Sequence, residues 1–247
     1  MRPMPEPMTA QTLSTGTHPD PVRADAGRTF ISTWRTGSPE RQRQTLIAVA
    51  RAWESRPWPH PGLLSYNVYA GSDGSTVLNF SQWRDEEAHR EFFARAGNGR
   101  DARNADIDAA VPGIERLELV RTRHYRSRTG GGERREPGAI VTVRVDFDAP
   151  DPGRARAWVD GVIDALDSDP VARPGLLAAH FHVSTDGSKV INYAEWESER
   201  AHEDALAAAG EGIGSPTPQW REVRDFPGVV HDDAVARYRF AYGFLPS

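Results

Sequence analysis

An internal repeat constrains this chain more than any other feature of its sequence. The segment from Pro61 to Trp83 recurs without a gap as Pro174 to Trp196. Extended to His89 and His202, the alignment holds 13 identities in 29 positions. A repeat of this length predicts two copies of one folding unit, packed so that each buries apolar surface against the other.

Both copies carry the same order of predicted elements. Runs of β-branched and aromatic residues predict strands, a proline opens the first helix, and apolar residues at helical spacing give that helix one buried face. Asp73-Gly74 and Asp186-Gly187 suit hairpin turns. The elements are a strand (29–34, 140–147), a helix from Pro39 or Pro152, two strands (63–70 and 76–83, then 176–183 and 189–196), a helix (85–95, 198–208) and a strand (115–125, 229–240). This β-α-β-β-α-β order is that of a ferredoxin-like unit.

The third strand of the unit lacks a purely polar face. Two sets of side chains alternate along it, Val77, Asn79, Ser81 and Trp83 against Leu78, Phe80 and Gln82. A ferredoxin-like sheet has helices on one face only, so its other face needs a cover. We therefore predict an α+β fold in which two tandem ferredoxin-like repeats form an intramolecular dimeric α+β barrel.

Composition sets the expected boundaries of these repeats. Residues 1–27 carry five prolines among small polar residues and are expected to form a disordered tail. The first repeat is predicted over 28–126 and the second over 138–247. The stretch 127–137 contains three consecutive glycines and is expected to be a linker.

Charge and composition also exclude several classes of partner. The net charge is −5 and cysteine is absent, so nucleic-acid binding, disulfides and thiolate metal sites are not expected. No apolar run reaches the roughly 20 residues that span a bilayer. We expect a cytoplasmic protein without a membrane partner, acting as a pseudo-dimeric monomer or as a homodimer of it. The chain has two glycine-rich stretches, Gly130 to Gly132 and Gly210 to Gly214. Neither lies between a predicted strand and a helix, so no phosphate loop is predicted.

The repeated motif resembles the antibiotic biosynthesis monooxygenase branch of the dimeric α+β barrel superfamily. The likeness rests on Pro-Gly-Leu-Leu at the second strand, Asn79-Phe-Ser-Gln-Trp83 on the third and Glu-Ala-His on the second helix, and it covers roughly 28–126 and 138–240. The motif is similar to that of the cofactor-independent quinol-forming monooxygenases of aromatic polyketide pathways. In those enzymes an Asn and a Trp four residues later line the pocket.

The resemblance implies that an Asn and a Trp line the pocket of each repeat, namely Asn79, Trp83, Asn192 and Trp196. We expect these four residues to be catalytic together with His89 and His202, which stand six residues after each Trp. Strand positions four apart lie on one face about 13 Å apart, so Asn79 and Trp83 can line one cavity. A tyrosine tends to stand near the place of His89 in the family. Histidine departs from that pattern, but its ordinary pKa near 6.5 suits a general base. The alternative is structural, with Asn79 bonded to a backbone group, Trp83 in the core and His89 on the helix surface.

Seven polar or aromatic residues on the second and last strands are candidates for substrate binding: Tyr66, Asn67, Tyr69, His180, His182, Tyr125 and Tyr238. His180 and His182 also have a spacing that suits a metal. No third ligand follows at a predictable position, so no metal is expected.

The resemblance implies oxidation of a polycyclic aromatic phenol or anthrone to a quinone by O₂, without flavin, haem, nicotinamide or another cofactor. Two alternatives keep the fold: a polyketide cyclase, and a protein that binds a small molecule without turnover. Haem degradation fits less well, because that branch has an Asn on the first strand, where this chain has Phe30, Ser32 and Trp34.

Overall fold

The computed structural model describes residues 11–94, 99–130, 134–169, 173–209 and 214–247. In its first half the elements are β1 (Thr12–Thr15), β2 (Arg28–Arg35), α1 (Pro39–Glu54), β3 (Leu63–Gly71), β4 (Thr76–Trp83), α2 (Glu86–Ala94), α3 (Arg100–Ala110) and β5 (Glu115–Thr129). In its second half they are β6 (Ala139–Phe147), α4 (Pro152–Ser168), β7 (Leu176–Ser184), β8 (Lys189–Trp196), α5 (Glu199–Ala209), α6 (Pro218–Arg224) and β9 (Val229–Pro246).

Strand pairing closes the two repeats into one barrel. Each repeat contributes four strands, in the orders β3-β4-β2-β5 and β7-β8-β6-β9. The last strand of each repeat pairs antiparallel with the second strand of the other, β5 with β7 and β9 with β3. Helices lie outside this ring, and β1 adds to the free end of β9. The predicted fold of two tandem ferredoxin-like repeats in a dimeric α+β barrel is confirmed.

Alternation along β4 divides the core as predicted. Val77 and Trp83 pack under the helices of the first repeat, in a cluster with residues of α1. Leu78 and Phe80 point into the barrel, where they meet Tyr193 of the second repeat. Each sheet is therefore covered on both faces, by its own helices and by the sister sheet.

Residues at the hairpin turns and helix starts adopt the conformations that the sequence predicts. Ser38 and Asp151 cap α1 and α4, each just before the proline that opens the helix. Gly74 and Gly187 take positive φ values of 68° and 73° in the two hairpins. Glycine adopts this conformation without the steric cost that a Cβ imposes.

Short parts of the expected tail and linker belong to strands, residues 12–15 to β1 and 127–129 to β5. Thr12–Thr15 form β1 because the end of β9, Gly243 to Pro246, extends beyond the pairing of β9 with β6, which ends at Tyr238, and offers a free edge. Further along, the Asp20 carbonyl accepts a 2.7 Å hydrogen bond from Gln82 Nε2. β5 continues to Thr129 because it pairs with β7 there. Residues 1–10 of the expected tail and 131–133 of the expected linker lie outside the described residues.

Each repeat also contains a helix that the sequence pattern does not predict, α3 in the first and α6 in the second. The sequence of α3 is mostly polar, and it buries only Arg103 and Ile107. A helix with so few apolar positions gives no clear 3.6-residue period. Of the predicted second helix, Arg95 lies outside the described residues. Across the described ranges, no helix combines the length and apolar content needed to cross a membrane.

The second repeat completes the core of the first through the end of β9. Phe244 is fully buried among residues of the first repeat, with its ring 5.6 Å from that of Trp53 and 6.3 Å from that of Tyr66. Leu245, the next residue, is 36% exposed. The two repeats therefore share one hydrophobic core rather than meeting only through backbone pairing.

We expect Phe244→Ala to lower the free energy of unfolding by about 3–5 kcal/mol, because it leaves a cavity in a packed core. Leu245→Ala is the matched control and should change it by less than about 1 kcal/mol. Denaturant unfolding measures both. Equal effects of the two variants would contradict the shared core.

Histidines inside the barrel make its stability depend on pH. His182 is fully buried, and burial, with His124 and His180 nearby, holds its pKa well below 6.5. Burial also lowers the pKa of His18 and His124. These rings are neutral in the folded state. Below pH 6.5 the unfolded chain takes up protons that the folded chain does not, so stability falls as the pH falls.

The free energy of unfolding should therefore be lower at pH 5.5 than at pH 7.5, conditions that bracket the ordinary histidine pKa of about 6.5. His182→Leu removes one of the depressed groups and should narrow the difference. Urea unfolding at the two pH values tests this. A difference that His182→Leu leaves unchanged would show that this ring does not carry the effect.

Candidate active site

A cavity of about 380 Å³ lies between the outer face of the first repeat's sheet and its helices. Its wall is largely aromatic, with rings from Phe30, Trp34, Trp53, Tyr66, Trp83, His89, Phe92 and Phe93. Polar groups reach it from Asn79, Ser81, Arg103, Asn104, Arg116 and Glu118. An apolar cavity with a few convergent polar groups is typical of a small-molecule site.

Asn79 presents an amide donor in this cavity. Its side chain is 3% exposed, and its Oδ1 accepts a 2.7 Å hydrogen bond from the Tyr66 hydroxyl. Burial raises the pKa of Tyr66, so the phenol stays protonated and can donate this bond. The Asn79 Nδ2 is buried and has no partner among the described residues. A buried donor left unpaired costs about 1–3 kcal/mol, which a ligand oxygen would recover.

Tyr66 holds Asn79 because aromatic packing fixes its own ring. The ring stacks on Trp53 of α1 at a centroid distance of 4.1 Å, with Phe244 behind both. The helical spacing of apolar residues predicts a buried face for α1, but it does not connect Trp53 with the site. That connection depends on helix packing, which periodicity does not reveal.

Trp83, four residues after Asn79 on β4, forms part of the cavity wall. Its indole N–H donates to the Ser81 hydroxyl at 3.2 Å, and its ring meets those of His89 and Phe92 edge-on or tilted. The alternation rule thus places Asn79, Ser81 and Trp83 on the cavity face, as the sequence indicates.

His89 lies in the cavity wall and not on the helix surface. Its ring stacks on Phe30 at 3.8 Å and lies 4.3 Å from Phe93. Burial, reinforced by the positive charge of Arg121, lowers its pKa to about 4. The imidazole is therefore neutral at pH 7 and a weaker base than its ordinary pKa of 6.5 implies.

Arg103 brings a positive charge that the sequence did not single out. Its side chain is 4% exposed and stacks on Trp53 at 4.8 Å. Its terminal nitrogens donate to the carbonyls of Pro57 and Gly99 at 2.6 and 3.2 Å, and its Nε is buried without a partner among the described residues. Burial lowers its pKa to about 10, which leaves it cationic at neutral pH. The cavity therefore favours an anionic or strongly polarised ligand oxygen.

The second repeat holds the matching Asn, Trp and His in a much smaller space. Asn192, Trp196 and His202 line a cavity of about 50 Å³. The His202 Nδ1 accepts from Arg237 Nε at 3.1 Å, and burial together with that charge lowers its pKa to about 4. Asn192 Oδ1 and Trp196 Nε1 are buried without partners within the described residues.

Of the seven predicted substrate-binding residues, only Tyr66 lines the large cavity. Alternation along β3 turns Asn67 and Tyr69 away from it, and the other four residues lie on β5, β7 and β9. Tyr69 and Tyr238 belong to the apolar core inside the barrel, where the Tyr69 and Tyr193 hydroxyls are 2.9 Å apart. Asn67 bonds to Ser65 and the Phe80 carbonyl, and Tyr125 bonds to Asp160 beside the second repeat. His180 and His182 point into the barrel, near Tyr193 and Phe80.

His180 and His182 gain polar neighbours from other strands but no metal-binding arrangement. Ser127 Oγ lies 2.7 Å from both His180 Nδ1 and His124 Nε2, and His180 Nε2 lies 3.6 Å from Glu195 Oε2. Over the residues that the structure describes, no three His, Asp or Glu side chains are placed to hold one metal ion.

The pKa of His89 can be measured directly. In an NMR pH titration, the ring protons of His89 should shift with a midpoint of about 4, because burial and Arg121 oppose protonation. Arg121→Gln removes the second cause and should raise the midpoint slightly. A midpoint near 6.5 would contradict the buried position.

Comparison with known proteins identifies a sequence relative and a structural one. The chain is 38% identical to the tetracenomycin-F1 monooxygenase of Streptomyces glaucescens over 63 residues, which is 26% of this chain and 54% of that protein. The match thus spans about half the length of the curated relative. No protein-family model matches the chain.

The fold is similar to that of a crystal structure described as an anthrone oxidase-like protein. The TM-score is 0.60 at 20% identity, and the likeness covers 89% of this chain and 93% of the other. At that identity the match establishes the fold. Together with the sequence match, it confirms the predicted resemblance to the antibiotic biosynthesis monooxygenases.

Proposed function

We propose that this relative of the antibiotic biosynthesis monooxygenases oxidises a polycyclic phenol or anthrone to a quinone with O₂, in the cavity of its first repeat and without a cofactor. The observation that carries the proposal is the buried Asn79 Nδ2, an unpaired donor in an aromatic cavity of about 380 Å³. A planar aromatic substrate with a carbonyl or phenol oxygen would supply the missing acceptor. The named relatives, a tetracenomycin-F1 monooxygenase and an anthrone oxidase-like protein, support the same class of substrate.

The reaction converts a ring CH₂ and O₂ into a ring C=O and water. A base removes a proton from the substrate, and the resulting anion passes an electron to O₂. The two radicals combine to a peroxide anion at the same carbon, and the protonated base returns its proton to it. The hydroperoxide then loses water and leaves the quinone carbonyl. The hard step for the protein is the first, because it places negative charge on the substrate in an apolar cavity.

Asn79 and Arg103 meet that charge. The Asn79 amide donates to the oxygen on which the anion is delocalised, and the Arg103 cation stabilises it through the low-dielectric interior. Both groups are held before substrate arrives, Asn79 by Tyr66 and Arg103 by two backbone carbonyls. Preorganised groups of this kind lower the barrier without reorganising during the reaction.

His89 is the proton acceptor in this proposal. Because its pKa is about 4, it is neutral and able to accept a proton at pH 7, but it is a weak base. Anion stabilisation by Asn79 and Arg103 therefore has to supply much of the driving force for proton transfer. Trp83 contributes the flat wall for the substrate rings, since its indole N–H is already bonded to Ser81.

Measurement of O₂ uptake with an anthrone tests the proposal. Wild-type protein should consume one O₂ for each quinone formed, and Asn79→Ala should lower kcat/KM about 10²- to 10³-fold, the usual effect of removing one oxyanion donor. Asn192→Ala is the matched change in the second repeat. It should leave kcat/KM within about twofold, because Asn192 lines the small cavity and not the large one.

Two results would contradict the proposal. One is uptake no faster than spontaneous autoxidation across a panel of anthrones and hydroxynaphthacenones. The other is conversion of a polyketide substrate without O₂, which would indicate the cyclase alternative.

A further inference from the structure

The internal repeat provides a comparison within one chain between an open site and a closed one. The two cavities occupy corresponding places, but their volumes are about 380 and 50 Å³. Asn, Trp and His recur at both, so those three residues do not cause the difference. The cause lies among the positions that the repeat does not keep.

Position 107 and its counterpart in the second repeat, position 220, differ in the direction that a closed second cavity requires, because a tryptophan stands in place of an isoleucine. Ile107 on α3 is buried and lines the first cavity, and Trp220 on α6 is buried and lines the second. Two changes remove volume from the wall of the second repeat, since Ala179 and Ala205 replace Tyr66 and Phe92. Three side chains that line the second cavity are instead larger than their counterparts: Trp220, Phe181 in place of Val68 and Arg173 in place of His60. Of these, Trp220 is the one whose counterpart, Ile107, lines the open cavity.

Trp220 is anchored in its closed position. Its indole N–H donates to Asp169 Oδ2 at 2.5 Å, and Asp169 is also paired with Arg173. The Arg173 guanidinium lies 5.5 Å from the Trp220 ring and is itself largely buried. A ring held on its edge by a carboxylate and on its face by a cation does not swing aside readily.

The second repeat also lacks the polar groups that serve the first cavity. Ala179 stands at the position of Tyr66, so the phenol that orients the Asn is missing. Pro216 stands at the position of Arg103, and the cation that lines the second cavity, Arg173, is paired with Asp169. Asn192 accordingly has an unpaired Oδ1, whereas the Oδ1 of Asn79 is bonded to Tyr66. The second cavity therefore differs from the first in its polar groups as well as in its volume.

We infer that position 107 determines whether a repeat binds an aromatic ligand, so that each chain holds one site, open at Ile107, and Trp220 closes the other. The inference refines the proposed function by naming its size-determining residue and its stoichiometry. It concerns binding, so it stands or falls separately from the oxygen chemistry.

The test is ligand binding by the full chain, with anthraquinone-2-sulfonate as the probe. Its three fused rings match the aromatic wall, and its sulfonate matches Arg103. Isothermal titration should give one molecule bound per wild-type chain.

Ile107→Trp should raise Kd roughly 100-fold or abolish binding. Ile107→Phe should have an intermediate effect, and it replaces Ile107→Trp as the test if that variant does not fold. Ile47→Trp, on the exposed side of α1, is the control for an added indole and should bind like wild type.

The reciprocal variant tests the closed half. Trp220→Ile should keep the first binding event and add a second, weaker one. Undiminished binding by Ile107→Trp would overturn the inference, as would two equal sites in the wild type or no binding by it at all. A single site in Trp220→Ile would overturn the assignment of Trp220. If binding follows the inference but no anthrone is oxidised, the size-determining role stands and the proposed reaction fails.

Discussion

The exchange of last strands between the repeats is the interaction on which the rest of the structure depends. β9 pairs with β3 and β5 pairs with β7, so the second strand of each repeat has a hydrogen-bonded neighbour from the other repeat. These pairings close the ring, and β1 covers the edge that the end of β9 would otherwise leave free. Tyr69, Phe80 and Tyr193 pack together inside the barrel, and the large aromatic cavity lies on the outer face of the first repeat's sheet, beneath the helices.

The same exchange lets one repeat build the site of the other. β9 belongs to the second repeat, yet its Phe244 packs against Trp53 and Tyr66 of the first. Tyr66 in turn holds Asn79. The second repeat thus supports the Asn79 amide from behind, although its own cavity is nearly filled. Duplication followed by divergence has produced one open site and a partner that holds it in shape.

Much of the fold could be predicted from the sequence because its signals are local or repeated. The ungapped repeat defined the unit, the hairpin glycines and helix-opening prolines marked its turns, and alternation along β4 placed Asn79 and Trp83 on one face. Alternation also separates Tyr66 from Asn67 and Tyr69. It does not say which face holds the cavity, so residues on both faces were predicted as substrate contacts and only Tyr66 lies there.

Other features of the site depend on packing that no local pattern records. Arg103 sits on a mostly polar helix in an arginine-rich chain, where nothing in its spacing distinguishes it from surface arginines. The low pKa of His89 follows from burial and from Arg121 on another element. Residues 12–15 form a strand because they pair with β9, at the opposite end of the chain.

A crystal structure of the protein with anthraquinone-2-sulfonate would test the central claim most directly. The account predicts one planar molecule in the first repeat, stacked along Trp83, with a ring oxygen within about 3 Å of Asn79 Nδ2, the usual length of such a hydrogen bond. It also predicts that the cavity around Trp220 stays empty of ligand. A molecule bound inside the barrel, or in both repeats alike, would contradict the account.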